Sequence, residues 1–199
     1  MVKAYHVILC MYGFWLPNDP RGSYSDFVWA DDLRKFGPAT KVNTRQSVAS
    51  KSHDVRKRLR AKKALKYPPV HLDEQQIKAI GAGIAKAAEI QHAGILACAI
   101  MPEHIHLVVA RGEGTIEEVV AEVKQRATLK LGEERIHPME EHCEPSGRRH
   151  SPWARGFWVV YLNDEPHIEN AMRYTAHNPE KEGRPRQFWD FVVPYEQTV

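Results

Sequence analysis

Two histidines, His104 and His106, stand one residue apart where the chain passes from a turn into an apolar run. Pro102 ends the segment before them, and the Ile, Leu and Val residues that follow are strand formers. Because side chains alternate between the two faces of a strand, both imidazoles should lie on one face. Two neighbouring imidazoles could form half of a metal site, or they could be polar positions on a half-exposed sheet.

Tyr174 and Asn178 form a second candidate pair near the end of the chain. In one continuous helix, at 100° per residue, they fall in a narrow sector beside the apolar stripe, together with His167. A phenol placed there could be a nucleophile, or it could be a tyrosine at the edge of the core with its hydroxyl in water. Asn178 could likewise be a helix C-terminal cap before Pro179.

Phosphoryl transfer to a phenol is the chemistry that would unite the two pairs. A phenol has a pKa of about 10 and is a poor nucleophile at neutral pH. A divalent metal held by His104 and His106 could polarise a scissile phosphate and stabilise the leaving 3′ oxygen while Tyr174 attacks in line. The tyrosine would keep a 5′-phosphate, and a free 3′-OH could then rejoin strands without ATP.

Four apolar segments predict the strands that must position the histidines. The first alternates between two sets of side chains, as a buried strand does. Only a few residues separate the second from the third, which suits a hairpin. The predicted strands are 4–11, 95–100, 104–111 and 157–162.

Three segments with helical periodicity predict helices. Asp73 and Thr115 each begin one with a capping box, and Asp164 caps the third. The third should stop near Asn178 because the residue before a proline disfavours helical geometry. The predicted helices are 73–92, 115–131 and 164–178.

Taken in order, these elements predict a single α+β domain over residues 1–199. Its centre is a ferredoxin-like β-α-β-β-α-β unit with an antiparallel sheet backed by helices. A long insertion, residues 13–70, follows strand 1, and an extra C-terminal helix carries Tyr174. The insertion should contain some helix, because structureless loops of this length are rare in compact domains.

Basic residues are concentrated in that insertion, where residues 51–66 carry eight Lys and Arg against one acid, Asp54. This run could be a solvated helix face or a surface that contacts phosphates. The net charge is only +3 and the pI about 8.7, so a polyanion-binding surface must come from such local clusters.

The remaining composition bears on the compartment. The three cysteines are odd in number, far apart and without CxxC spacing, which disfavours a disulfide framework or a zinc knuckle. The N-terminus has no signal-peptide pattern, and no apolar run approaches the length of a membrane span. We therefore expect a cytoplasmic protein without membrane association.

Three motifs in order resemble those of the HUH single-tyrosine transposases, and among them the REP-associated tyrosine transposases. Residues 101–108 resemble the His-hydrophobic-His motif, and residues 153–158 resemble the Trp-x-x-Gly-aromatic start of the last strand. Residues 173–179 resemble the Tyr-Ile-x-x-Asn-Pro segment that carries the nucleophile. The resemblance covers the first strand and roughly residues 73–183. Glu103 departs from it, since many relatives have Asn there.

The resemblance implies a DNA transposase, a single-strand endonuclease and strand transferase with a 5′-phosphotyrosine intermediate. It implies that His104 and His106 are metal ligands, that Tyr174 is the nucleophile and that Asn178 completes the metal shell. The implied metal is Mg²⁺ or Mn²⁺, and the implied substrate is single-stranded DNA with a nearby hairpin. Family members include monomers and dimers that exchange the tyrosine helix, so a homodimer is also compatible with the sequence.

We further predict that the basic clusters bind this DNA. One alternative is a domesticated DNA- or RNA-hairpin-binding protein that no longer cuts, and another is a hydrolase of small phosphoesters, for which so extended a basic surface would be unnecessary. The predicted DNA-binding residues are Arg56, Lys57, Arg58, Arg60, Lys62, Lys63, Lys124, Arg126, Lys130, Arg148, Arg149, Arg155 and Arg173.

Overall fold

The computed structural model describes residues 1–19, 27–28, 30–39 and 53–195, which contain a four-stranded antiparallel sheet with helices on both faces. All four predicted strands are confirmed, and each begins and ends within one residue of its predicted limits. The strands are β1 (Ala4–Cys10), β2 (Ile95–Ile100), β3 (His104–Ala110) and β4 (Trp158–Leu162).

The strand order β2-β3-β1-β4 makes β1 a central strand, paired antiparallel with both β3 and β4. This is the order of a ferredoxin-like unit, and the predicted α+β fold is confirmed. The register sets Cys10 opposite His104 and Ile8 opposite His106. The paired histidines therefore lie beside the C-terminal end of β1.

Helices α3 (Glu74–Ile90) and α4 (Ile116–Glu133) cover one face of the sheet and form the main core with it. Each begins with the capping box that the sequence predicts. The two helices approach closely at Gly83, where a Cβ atom would lie only 2.4 Å from the Cα atom of Ala127. No helix in the described parts of the chain is long and apolar enough to cross a membrane.

Helix α5 (Glu165–Ala176) covers the opposite face of the sheet. Asp164 caps it through a hydrogen bond from the backbone N–H of His167, and Ile168 packs against Val108 of β3. This face of the sheet is the one on which the paired histidines lie, so α5 is the only long helix beside them within the described residues.

The predicted end of this helix near Asn178 lies within two residues of the observed end, but the sequence did not predict the helix that follows. Helix α5 ends at Ala176, and a separate short helix, α6 (Asn178–Lys181), follows. Pro179 stands in the first turn of α6, where its fixed φ and missing N–H are tolerated. Asn178 is therefore the first residue of a new helix instead of the cap of α5.

The insertion contains helical structure, as predicted. Its described part includes α1 (Asp31–Arg34) and α2 (Val55–Lys63), while Lys51, the first residue of the predicted basic run, lies outside the described residues. A small separate core anchors α2 to the rest of the insertion. Its buried members are Leu16, Leu33, Phe36 and Ala61.

Residues 183–195, which we call the strap, run along the outer edge of β2. The Gln187 side chain accepts a hydrogen bond from the Ile100 N–H (2.8 Å) and donates one to the Ile100 carbonyl (2.7 Å). Further along, the Val193 N–H donates to the Ile95 carbonyl at 2.9 Å. The strap thus occupies hydrogen-bonding groups at both ends of an edge strand.

Candidate active site

Strand β3 presents His104 and His106 on one face of the sheet, as the alternation predicts. Their ring centroids are 4.9 Å apart and the rings are nearly perpendicular, with an interplanar angle of 83°. His106 is 3% exposed, and Ile105 between the two histidines points into the main core.

A third imidazole, His6 of β1, belongs to the same cluster and is absent from the predicted site. Its Nε2 atom lies 3.1 Å from Nδ1 of His106, and the two rings stack with centroids 5.3 Å apart. His6 is paired with Val108 in the β1–β3 register, so it is a diagonal neighbour of His106. The alternation of β1 indicated its face, but only the register between strands brings it to His106.

Burial decides the charge of these imidazoles. Loss of solvation lowers the pKa of His6 to about 4. Burial also holds the pKa of His106 well below 6.5, and the nearby groups His104, His6 and Lys181 lower it further. His6 and His106 are therefore neutral at pH 7, the form in which a ring nitrogen can bind a metal or accept a hydrogen bond.

Helix α5 brings Tyr174 to this cluster. Its ring centroid lies 5.5 Å from that of His106 and 5.9 Å from that of His6, in edge-to-face contact with both. The tyrosine is 43% exposed, so it borders solvent while its ring contacts the buried His106 and the half-buried His6. The predicted nucleophile thus meets one of the paired histidines, His106, within one chain.

Helix α6 brings Lys181 to the same rings and carries the buried Asn178. Asn178 is 6% exposed, and its buried Oδ1 atom has no hydrogen-bond partner among the described residues. Lys181 holds its Nζ atom over the Tyr174 ring, 4.0 Å from the centroid. Sequence analysis missed Lys181 because it treated Pro179 as the end of helical structure, whereas the proline begins the turn that returns Lys181 to the site.

The donor atoms present fit a divalent metal. Two imidazoles, at least one of them neutral, stand on one face, and a buried amide oxygen without a partner is costly unless something binds it. Amide oxygens and water suit Mg²⁺ and Mn²⁺. Among the described residues no three His, Cys, Asp or Glu side chains are arranged to hold a metal, so His104, His106 and Asn178 would need water or phosphate oxygens to complete a shell.

The insertion contacts the start of β3 at two points: Phe14 meets His104, and Lys62 meets Glu103. The Phe14 ring lies 5.1 Å from the His104 ring, centroid to centroid. Glu103, the residue before His104, accepts from His71 Nε2 at 2.5 Å and lies 3.9 Å from Lys62 Nζ. Helix α2, which carries Lys62, is therefore tied to the start of β3.

Several of the predicted DNA-binding residues already have partners within the chain. Lys124 donates to the carbonyls of Ala154 and Gly156, at 3.2 and 2.7 Å, and burial lowers its pKa. Arg173 donates to the Asn170 side chain. Ion pairs join Arg58 to Asp19, Lys62 to Glu103, Arg126 to Glu122, Lys130 to Glu133 and Glu134, and Arg149 to Glu140.

Other predicted DNA-binding residues have no ion pair with another described residue, namely Arg56, Lys57, Arg60, Lys63 and Arg148. Arg155 is also exposed. Three of the exposed ones, Arg56, Arg60 and Lys63, lie at positions i, i+4 and i+7 of α2 and form one stripe on its surface. This stripe is a local cluster of positive charge on the helix whose Lys62 pairs with Glu103.

Comparison with known proteins adds a family and two structural relatives. The family model for IS200-like transposases matches residues 63–178. The chain is similar to a solved REP-associated tyrosine transposase bound to a REP hairpin, with a TM-score of 0.49 and 14% identity over 91% of this chain and 68% of that chain. It is also similar to a suspected transposase from Deinococcus radiodurans, with a TM-score of 0.40 and 12% identity over 89% of this chain and 91% of that chain. None of the curated proteins compared with the chain matches it.

The family match spans more than half of the 199 residues. It includes β2, β3, α4, β4 and α5, and therefore His104, His106 and Tyr174, and it ends at Asn178. The chain belongs to the IS200-like transposase family.

Proposed function

We propose that this transposase cuts single-stranded DNA beside a hairpin and rejoins strands through a 5′-phosphotyrosine on Tyr174. The observation that carries the proposal is the contact of the Tyr174 ring with the rings of His106 and His6 in one chain. A protein that only binds hairpins has no need for a half-exposed phenol held against two neutral imidazoles, one of them buried. The hairpin in this proposal is inferred from the resemblance of the three sequence motifs to those of the REP-associated tyrosine transposases.

In the proposed step the Tyr174 hydroxyl oxygen attacks the phosphorus of one phosphodiester, and the phenol proton passes to water. The bond from phosphorus to O3′ breaks, and O3′ takes a proton from water. The products are a 5′-phosphate bound to Tyr174 and a free 3′-OH. Attack by a 3′-OH on the phosphotyrosine reverses the step, and it needs no ATP because one phosphoester replaces another.

His104, His106 and Asn178 are the residues that would hold Mg²⁺ or Mn²⁺. When bound, such an ion supplies positive charge to the scissile phosphate and the leaving oxygen. If His106 binds through Nε2, its Nδ1–H donates to His6 Nε2 and fixes the ring. Lys181, with Nζ over the Tyr174 ring, lies where a phosphate under attack by that tyrosine would meet a further cation.

Helix α2 is the surface we propose for the DNA backbone. The exposed stripe of Arg56, Arg60 and Lys63 belongs to a helix that is tied to Glu103, next to His104. Single-stranded DNA leaving the site along this helix would pass unpaired cations.

The test is Tyr174→Phe, assayed with Mn²⁺ and 3′-labelled stem-loop oligonucleotides, because the strand that stays on the tyrosine is the one with the 3′ end. We expect it to abolish cleavage and the covalent protein–DNA adduct, because the attacking oxygen is gone, while the Kd for the oligonucleotide stays within about twofold. Tyr161→Phe is the matched control, since Tyr161 is also half-exposed but lies on β4 away from the imidazoles.

Two results would contradict the proposal. One is an adduct formed by the Tyr174→Phe variant, which would mean that another residue is the nucleophile. The other is tight binding by the parent protein without any cleavage in Mg²⁺ or Mn²⁺, which would favour the domesticated hairpin-binding protein.

A further inference from the structure

Phe188 of the strap is 83% exposed, far more than a large apolar side chain usually is. Arg186 lies beside it, with its guanidinium carbon 5.7 Å from the ring centroid. Arg186 is itself exposed, so the ring and the cation stand side by side on the outer surface of the strap. Neither side chain contributes to the hydrophobic clusters of the described residues.

The backbone on both sides of Phe188 is anchored. Before it, Gln187 makes two hydrogen bonds with the backbone of Ile100. After it, Trp189 packs on α3 so closely that a Cβ atom at Gly81 would lie 2.3 Å from the indole ring, and Trp189 also stacks with Phe191 at 5.7 Å. Phe188 therefore cannot turn into the core without releasing one of these anchors.

The strap also lies near the candidate active site. Its anchor Ile100 pairs with Ile105, the residue that follows His104 in β3. Neighbouring strands are about 5 Å apart, so the strap is about 10 Å from β3 at this end of the sheet. Helix α6, which carries Asn178 and Lys181, leads directly into the strap.

We propose that Phe188 and Arg186 form a stacking platform for one unpaired base of the single-stranded DNA that enters the site. The proposal rests on the function proposed above. A single rigid aromatic ring matches the size of one base, and stacking on it tolerates any base because each has a π-face. The adjacent guanidinium can stack on the same base or neutralise its phosphate.

The experiment uses the full chain with the Tyr174→Phe change and EDTA, so that cleavage plays no part. The probe is a set of single-stranded oligonucleotides, each flanked by a stem-loop and each carrying 2-aminopurine at one unpaired position. We expect the fluorescence of one position to be quenched on binding, since stacking quenches 2-aminopurine. Phe188→Ala should remove that quenching and weaken binding about tenfold, which lies within the usual range for one stacked base.

The controls separate stacking from general effects. Phe188→Trp should keep the quenching, whereas Phe188→Leu, which is apolar but cannot stack, should lose it. Tyr161→Ala removes another exposed aromatic residue, on β4, and should change neither binding nor quenching. The melting temperature should stay the same in the Phe188 variants because the side chain is exposed.

The platform is overturned if Phe188→Ala binds as tightly as its parent and shows the same quenching as its parent at every position. It is also overturned if no position is quenched when the parent binds. The proposed cleavage can fail separately. A protein that never forms the tyrosine adduct but loses quenching on Phe188→Ala would keep the platform and disprove the nucleophile.

Discussion

The contact between His6 and His106 gives the site a residue that, in our proposal, acts through a metal ligand and does not bind the metal itself. A metal-binding imidazole needs a fixed orientation and a fixed tautomer, and an acceptor for its second nitrogen provides both. His6 Nε2 lies 3.1 Å from His106 Nδ1, where it would fill this role in the metal site that we propose. We therefore regard His6 as a positioning residue.

Replacement of His6 should weaken metal binding while the protein keeps its fold. His6→Leu removes the acceptor, and we expect a loss of about 10- to 100-fold in Mn²⁺ affinity, measured by calorimetry or by electron paramagnetic resonance of free Mn²⁺. His6→Gln keeps an acceptor oxygen and should recover most of the affinity. His167→Leu, at an exposed histidine of α5, is the matched control and should bind Mn²⁺ normally.

Equal affinities in His6→Leu and the parent protein would refute the positioning role. A loss that His6→Gln does not recover would instead indicate that His6 is itself a metal ligand.

The buried imidazoles should also make the metal-free protein sensitive to acid. Folding keeps His6 neutral with a pKa of about 4, whereas the unfolded chain binds a proton near 6.5. The unfolded state is therefore favoured as pH falls from 6.5 towards 4, and His6 alone should reduce the free energy of unfolding by about 2 kcal/mol between pH 7 and pH 5. His106 shifts in the same direction and adds to the loss.

Urea unfolding in EDTA at the two pH values measures this loss. In His6→Gln, the loss of unfolding free energy between pH 7 and pH 5 should be smaller by the roughly 2 kcal/mol attributed to His6. An unchanged dependence would mean that His6 is solvated or protonated in the folded state.

At the residue scale, the sequence predicted the features that depend on local geometry. Strand alternation is a property of a few consecutive residues, so His104 and His106 were placed on one face correctly. The contact of His6 with His106 joins residues 100 positions apart. It depends on the pairing register of β1 with β3, which no local pattern encodes.

Among the elements, α2 is the one for which the sequence allows two interpretations of the charge. Its charge could be a solvated face or a phosphate surface, and the structure leaves three of its cations exposed as one stripe, on the helix whose Lys62 pairs with Glu103. Helix α2 also has its own small core, so its outer face can be changed without disturbing its packing.

Charge reversal of Arg56, Arg60 and Lys63 to Glu should weaken binding of single-stranded DNA and flatten its dependence on salt. Loss of three phosphate contacts should reduce the slope of log K against log salt by about 2. Lys78→Glu with Lys86→Glu, at exposed positions of α3, provides the control and should leave the slope nearly unchanged. An unaltered slope in the α2 variant would identify the stripe as a solvated face.

Predictions at the element scale failed at α6. Pro179 correctly marked the end of one helix, but a proline is equally suited to the first turn of the next. Whether the chain stops or turns there depends on what α6 packs against, and Asn178 and Pro179 are both buried. The edge pairing of the strap was unpredictable for a similar reason, since Gln187 uses its side chain in place of a strand backbone.

At the scale of the whole molecule, the fold was predictable because each element of its β-α-β-β-α-β order shows its own local pattern of apolar residues and caps. The sequence could not say whether the tyrosine serves its own chain or a partner's. The 5.5 Å separation between the Tyr174 and His106 rings makes a complete ring cluster within one molecule. We therefore expect each molecule to use its own tyrosine.

A mixing experiment tests this expectation. Tyr174→Phe lacks the proposed nucleophile and His106→Ala lacks a proposed metal ligand, so each should be inactive alone. A mixture of the two should also stay inactive in a cleavage assay, because no single chain holds both groups. Recovery of cleavage in the mixture would demonstrate that the tyrosine acts on the histidines of a second molecule.

The hydrogen bonds that Gln187 and Val193 make with β2 have a consequence for how the protein behaves in a crowded solution. An all-apolar edge strand such as Ile95–Ile100 invites strand addition from another molecule, which is how ordered aggregates begin. A chain shortened before Gln187 would expose that edge, and its first symptom would be self-association rather than a lower rate of DNA cleavage. The same segment that offers Phe188 to a base therefore also keeps the sheets of different molecules apart.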